Sequence, residues 1–366
     1  MRQGLLLIVS ALSICFLGCS NDVSVLDSDF REKSNTKLAE ARIIEYPTQV
    51  IEHPTQVIEH PKPAITVQNT SGDEKLYHLN QKTSEVITKT PPPQHTHDYG
   101  LHYYRGITHS ELGEYQQAID DYTLAITIDP GDPTVHYARG SAYVELGQYQ
   151  QAIDDYTLAI SIDPDDPTVH YARGFAYDEL GEYQRAIDDY GQSIAINPVH
   201  AGSYVNRGFA YDKLGNYQQA IEDYNQAIIL DASNDKAYIN RGAAYSVLQE
   251  YRQAIDNYNQ AISLNSSDPM TYFNRGNAFY DLREYQQAID NYNQAITLDP
   301  DYSDAYKNRG AAYSVLQEYR QAIDNYNQAI SFDSSDPMTY FNRGNAFYDL
   351  REYQQAIDNY NQAITL

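Results

Sequence analysis

From Tyr99 to Leu366 small, apolar and polar residues return in the same order every 34 residues. Gly106 recurs as Gly140, Gly174 and onward to Gly344, and Ala118 recurs as Ala152, Ala186 and onward to Ala356. Within one copy, 133–166, two helical patterns are visible. The first carries Tyr137, Gly140 and Tyr143 and stops at Leu146-Gly147, glycine being suited to the left-handed residue that follows a helix. The second carries Tyr149, Ala152, Ile153, Tyr156, Ala159 and Ile160 at spacings of three and four and stops at Asp163-Pro164. Each copy therefore predicts an antiparallel helix pair, and no pair can bury its apolar stripe alone. Stacked neighbours supply the core, with Tyr156 and its equivalents expected to be partly buried and their hydroxyls at the edge.

The order aromatic, Gly, Tyr, Gly, Tyr, Ala, aromatic, Ala, Pro, carried here by Tyr137, Gly140, Tyr143, Gly147, Tyr149, Ala152, Tyr156, Ala159 and Pro164, resembles the tetratricopeptide repeat family. The resemblance covers 99–366 without a gap, as repeats 99–132, 133–166, 167–200, 201–234, 235–268, 269–302, 303–336 and 337–366. It implies an all-α fold, a right-handed α-solenoid of eight 34-residue helix-turn-helix repeats with a concave channel. The copies depart from the pattern locally. Ser193 replaces the second Ala in the third, Ala232, Ser266 and Ser334 replace the closing Pro, and the connecting Gly becomes Gln249, Arg283, Gln317 and Arg351 in the last four. Each lost Gly costs about 1 kcal/mol if the left-handed turn is kept.

Residues common to all copies are accounted for by stacking, so function is sought where copies differ on the first helix. The family resemblance implies a peptide-binding groove lined here by Tyr103, Tyr137, Tyr171, Phe175, Phe209, Phe273, Asn277, Tyr280, Phe341, Asn345 and Tyr348, with Glu111, Glu145, Asp178, Glu179 and Asp212 beside them. The family's clamp for chaperone tails is not expected. Asn277 and Asn308 match its amides, but Phe273, Ser314 and Val315 stand where its cations belong. Asn240 to Leu298 and Asn308 to Leu366 are identical except for Leu264 against Phe332 and Asn265 against Asp333, a duplicated 68-residue block. Two readings of it stand open: a bivalent groove for an extended ligand, or duplication without selected purpose. Arg105 has a counterpart before the Gly in every copy, through Arg343. It is expected either to pair with a second-helix carboxylate such as Asp120, with Asp154 or Asp155 as the options for Arg139, or to be solvated.

Upstream of the repeats the pattern changes. Leu5 to Phe16 is an apolar run behind Met1-Arg2, too short to span a bilayer, and it ends in Phe16-Leu17-Gly18-Cys19. This resembles the lipobox of bacterial lipoproteins, with Phe16 standing where that family prefers Leu. It implies a signal peptide over 1–18, acylation of Cys19, and, with Ser20 next, outer-membrane sorting; an ordinary signal peptide is the alternative. Residues 19–98 read as a lipid-anchored disordered linker rich in Pro, Thr and Gln, with at most a short helix near Phe30 to Ile43. The heptad Ile44-Glu-Tyr-Pro-Thr-Gln-Val50 recurs directly after itself with His53 in place of Tyr46, and a proline every seven residues excludes a helix there.

Composition narrows the partner. The chain of 366 residues holds 25 basic and 50 acidic residues, a net charge of −25, of which 16 and 38 lie beyond Asp98, a balance of −22. Nucleic acid is disfavoured, and a neutral or basic protein or peptide partner is expected, besides the membrane through the lipid anchor. All but two of the 36 tyrosines, Tyr46 and Tyr77, fall in the repeats. With Cys15 in the signal and Cys19 acylated, no thiol remains for chemistry, and no nucleotide loop, HExxH or GxSxG occurs. Neither catalysis nor a cofactor is expected. The paired carboxylates such as Asp120-Asp121 are read as a solvated face, and His95, His97, His102 and His109 as no more than a weak metal candidate. The chain stops at Leu366 inside the last helical pattern, which leaves self-association through an uncapped last repeat as an expectation.

Overall fold

The computed structural model describes residues 94–366, with side chains from Asp98 onward; Cys19, the signal and the proline-rich tether lie outside them. Sixteen helices follow one another in antiparallel pairs. They are α1 (Gln94–Glu111) and α2 (Tyr115–Ile128), α3 (Pro133–Glu145) and α4 (Tyr149–Ile162), α5 (Pro167–Glu179) and α6 (Tyr183–Ile196), and α7 (Ala201–Lys213) and α8 (Tyr217–Leu230). The second half adds α9 (Asp235–Val247) and α10 (Tyr251–Leu264), α11 (Pro269–Asp281) and α12 (Tyr285–Leu298), α13 (Ser303–Val315) and α14 (Tyr319–Phe332), and α15 (Pro337–Asp349) and α16 (Tyr353–Thr365). Helix α1 starts at Gln94, inside the stretch expected to be linker, because Gln94 to Asp98 carries no breaker after Pro93. No described helix is long and apolar enough to cross a membrane.

Asp-Pro sets the start of the first helix in four copies. Asp132 accepts from Thr134 N–H while Pro133 occupies the first helical position, where no amide is needed. Asp166, Asp268 and Asp336 repeat this, each before a proline. The end of the helix is fixed by a left-handed residue. Gly147 has φ +69°, and Gln148 N–H reaches back to Tyr143 C=O at 2.8 Å. Gln249, Arg283, Gln317 and Arg351 hold the same conformation, with φ from 62° to 63°, so the turn survives the loss of glycine.

The core is made by contact between the two helices of a pair. Tyr156 is 0% exposed, and its Cε1 lies where a Cβ on Gly140 would come within 2.7 Å. The glycine is needed because the ring lies flat on the first helix's backbone. The expected half-exposed tyrosine is therefore a fully buried one, and the same holds for Tyr122, Tyr190, Tyr224, Tyr258, Tyr292 and Tyr326.

The repeated arginine pairs with the second carboxylate, not the first. Arg105 donates to Asp121 and Arg139 to Asp155, in two bonds of 2.7 Å each for Arg139. Arg173 with Asp189 and Arg207 with Asp223 follow. Asp121, Asp155, Asp189 and Asp223 are buried while Asp120 and Asp154 are exposed, which corrects the reading of these pairs as a solvated face. Asp121 follows Ala118 by three and precedes Ala125 by four, so it falls on the buried stripe. From the fifth copy onward asparagine takes the carboxylate's place. Arg241 donates to Asn257, Arg275 to Asn291, Arg309 to Asn325 and Arg343 to Asn359 at 2.6 to 2.7 Å. Each also donates to an asparagine of the preceding second helix, Asn225, Asn259, Asn293 or Asn327. The hydrogen bond to Asp155 raises the pKa of Arg139, whereas burial without a carboxylate lowers that of Arg241, Arg275, Arg309 and Arg343.

Candidate peptide-binding groove

Successive first helices touch one another, α1 with α3 and onward to α13 with α15, whereas among the described residues successive second helices do not. A stack spaced this way curves with its first helices inside. The residues that vary along that inner row are the candidate site.

One arrangement recurs there. Tyr103, Tyr137, Tyr171, Phe273 and Phe341 each lean on the second-helix tyrosine of their own copy, Tyr122, Tyr156, Tyr190, Tyr292 and Tyr360, with ring centroids 5.7 to 6.2 Å apart. One edge of each ring is thus spent on packing, and all five remain half-buried. Tyr171 also meets His200 edge-on at 5.0 Å and accepts from Asn206 Nδ2 at 3.0 Å. Phe273 packs at 5.0 Å on Tyr302, the last residue of its own copy and the one that precedes α13.

The other expected groove residues divide. Phe175 and Tyr280 are half-buried, and Tyr348 is 52% exposed beside Tyr353. Phe209 is 3% exposed with Lys213 Nζ 4.9 Å above its ring, so in this copy a lysine covers the aromatic face. Asn277 is buried and already engaged, accepting from Tyr292 Oη at 2.8 Å and from Asn308 Nδ2 at 2.9 Å. Its duplicate Asn345 accepts from Tyr360 Oη at 2.9 Å. Both amides hold the groove wall in place.

The acids differ in the same way. Glu145 and Glu179 take hydrogen bonds from Tyr115 and Tyr149. Asp178 is 3% exposed, and burial pushes the Asp212 carboxyl up from 3.8 to about 7, with Lys213 only partly opposing. Sequence reasoning took up Asn308 alone of the row Asn206, Asn240, Asn274, Asn308 and Asn342, although Asn directly before Arg in the last five copies was a visible signal. Near α1, His102 Nδ1 lies 3.4 Å and His109 Nε2 3.7 Å from the Asp121 carboxylate, which Arg105 already holds. His95 and His97 side chains lie outside the described ones, and no described group of three or more His, Cys, Asp or Glu could hold a metal.

Models of the TPR repeat match residues 106–147, 140–181, 247–282, 276–314 and 315–351, and the tetratricopeptide repeat model matches 167–200, 201–234 and 337–366. The chain belongs to the tetratricopeptide repeat family. Proteins of this family generally mediate protein–protein interaction, and the repeat generally serves as a non-catalytic scaffold. No curated protein matches along the sequence. Among solved structures, a tetratricopeptide repeat protein from Parabacteroides merdae is 20% identical over 69% of this chain and 99% of its own, with a TM-score of 0.53. MamA is 27% identical over 44% of this chain and 94% of its own, with a TM-score of 0.43. YrrB, titled a TPR protein with an unusual peptide-binding site, is 20% identical over 50% of this chain and 95% of its own, with a TM-score of 0.45. The likeness to the Parabacteroides protein supports the solenoid fold.

Proposed function

We propose that the protein is a non-catalytic scaffold, held to the bacterial cell envelope by a lipid on Cys19 and binding an extended, neutral or basic peptide segment of an envelope protein along its inner helices. The observation that carries the reading is the inner row itself. Half-buried aromatic rings share one register at Tyr103, Tyr137, Tyr171, Phe273 and Phe341, in a body whose balance is −22. Half-buried aromatics offer apolar contact at little entropic cost, and the charge steers a basic partner in a manner that weakens as salt rises. The anchor rests on the Leu17-Gly18-Cys19 pattern.

The test is cross-linking in cells carrying the anchored protein, followed by titration of the captured protein's segment against the purified chain. Saturable binding that falls at least about tenfold on Phe273→Ala with Phe341→Ala supports the groove. Binding indifferent to both changes refutes it. Labelled fatty acid that enters the wild type and equally enters Cys19→Ser refutes the anchor.

A further inference from the structure

We propose that the outer face of the last four repeats is a second docking surface, on which Arg241, Arg275, Arg309 and Arg343 receive aspartate or glutamate carboxylates from an acidic segment of a partner protein. The surface lies on the other side of the stack from the groove and stands or falls independently of it.

The first ground is where each guanidinium sits and what it lacks. Every one rises from a first helix into the gap between two successive second helices, which among the described residues do not touch. Arg241 donates from Nε to Asn257 of α10 at 2.7 Å and from Nη1 to Asn225 of α8 at 2.5 Å. Arg275, Arg309 and Arg343 repeat this between the next pairs of second helices. A tyrosine ring three residues earlier, Tyr238, Tyr272, Tyr306 or Tyr340, backs each guanidinium at 5.2 to 5.5 Å. The group is held in place, yet its charge goes unanswered. Among the described residues none of the four arginines forms an ion pair, and burial without a carboxylate lowers the pKa of each.

The second ground is Nη2. In the first four copies this nitrogen donates to Asp121, Asp155, Asp189 or Asp223. In the last four the asparagine standing there turns its Nδ2 back to the carbonyl of Gln253, Gln287, Gln321 or Gln355 on its own helix and offers Nη2 no acceptor. None of the four Nη2 groups is sealed from solvent. Beside each stands a second amide, Asn225, Asn259, Asn293 or Asn327, whose Oδ1 is taken by Nη1. Each gap thus offers N–H groups and a positive charge, the donor set of an oxyanion site. A carboxylate is the oxyanion it fits, since one fills the same position in the first four copies.

Charge decides the kind of partner and the half of the array. Asp256, Asp290, Asp324 and Asp358 stand exposed one residue before each inner asparagine, so a continuous polyanion is repelled while separate carboxylates, one to a gap, are admitted. Repeats 99–234 hold 6 basic and 21 acidic residues and repeats 235–366 hold 10 and 17, so the opposing field is weaker where the guanidiniums are unanswered. The 68-residue duplication doubled the number of such gaps, which lets one extended acidic segment engage several at once.

The test uses the full chain and a fluorescein-labelled alternating Gly-Glu decapeptide, with the Gly-Gln decapeptide beside it, read by fluorescence anisotropy. The Gly-Glu peptide is expected to bind the more tightly in spite of the body's net charge, and equal or weaker binding overturns the proposal. Asn257→Asp with Asn291→Asp, Asn325→Asp and Asn359→Asp gives each arginine the partner used in the first four copies and should weaken Gly-Glu binding about tenfold or more. Gln226→Glu with Gln260→Glu, Gln294→Glu and Gln328→Glu adds the same four charges at exposed positions of second helices and should weaken it less than about threefold. Equal weakening by both sets overturns the site in favour of diffuse repulsion. If circular dichroism shows the first variant unfolded, the reverse change decides. Asp155→Asn with Asp189→Asn frees two more guanidiniums and should tighten Gly-Glu binding at least about threefold beyond the exposed pair Asp120→Asn with Asp154→Asn, and equal tightening overturns the proposal. Sodium phosphate that displaces the peptide where sodium acetate of equal ionic strength does not overturns the carboxylate assignment in favour of a phosphate-bearing ligand.

Discussion

The four turns that keep a left-handed backbone without glycine make the sharpest prediction. Gln249, Arg283, Gln317 and Arg351 sit at φ 62° to 63° where the first four copies have Gly113, Gly147, Gly181 and Gly215 at φ 69° to 77°. An L residue in this region costs about 1–2 kcal/mol, because its Cβ crowds the following carbonyl. Glycine removes that cost but gives back about 0.5–1 kcal/mol through the greater freedom of the unfolded chain. The net gain expected from Gly at one turn is therefore about 0.5–1 kcal/mol, since all four side chains are exposed. The turns lie in successive repeats and share no partner, so the quadruple variant Gln249→Gly, Arg283→Gly, Gln317→Gly and Arg351→Gly should gain about 2–4 kcal/mol.

Urea denaturation followed by circular dichroism measures it, and Gly147→Gln supplies the reverse experiment, with an expected loss of about 0.5–1 kcal/mol. The gain should fall on the second half of the array, because in a stacked solenoid stability is close to a sum of repeat and neighbour terms. A quadruple variant no more stable than wild type, together with a neutral Gly147→Gln, would refute the reasoning. It would mean that these turns carry no backbone strain.

Three further outcomes follow from the packing and the charges. Gly208→Ala places a Cβ 2.8 Å from Tyr224 Cε1 and 3.2 Å from the Ala220 carbonyl, so it should lower stability by about 1–3 kcal/mol in the same urea assay; a neutral result would show that the ring can withdraw. Asp155→Asn copies the arrangement that the last four repeats already use and should cost no more than about 1 kcal/mol, while Asp155→Leu strands the Arg139 guanidinium and should cost about 3 kcal/mol; equal losses would deny the pairing. Asp212 keeps its proton to about pH 7 in the folded chain but releases it near 3.8 when unfolded, so its ionisation opposes folding and stability falls as pH rises between those values. Asp212→Asn should therefore gain up to about 4 kcal/mol over wild type at pH 8 and little at pH 4, and a gain independent of pH would contradict the burial of that carboxyl.

The helix pairs were legible because the 34-residue interval and the Gly or its replacement at the turn agree at every copy, and Asp-Pro marks the start of the first helix in four of them. The choice between Asp120 and Asp121 was also within reach of the sequence. Counting three and four residues from Ala118 and Ala125 puts Asp121 on the buried stripe; the pair looks solvated only when read as a charged run. The fates of Phe209 and Asn277 were not legible. Phe175 and Phe209 occupy one register, yet Phe175 is half-buried while Phe209 is fully buried beneath Lys213, which stands where the previous copy has Glu179. Asn277 is taken out of the groove by Asn308 of the next copy, a contact that no interval within one repeat reveals.

The differences between copies also divide the array chemically. The first four repeats join their helices by an arginine–aspartate pair and a glycine turn, and the last four by an arginine–asparagine contact and a non-glycine turn. These two changes travel together without touching, which a structural coupling does not require. The duplicated 68-residue block accounts for much of the coincidence. Gln317 and Arg351 with Asn325 and Asn359 are copies of Gln249 and Arg283 with Asn257 and Asn291, so two strained turns were inherited as four. The strain in the second half thus records two substitutions rather than four. It gives no reason to read the left-handed turns as functional.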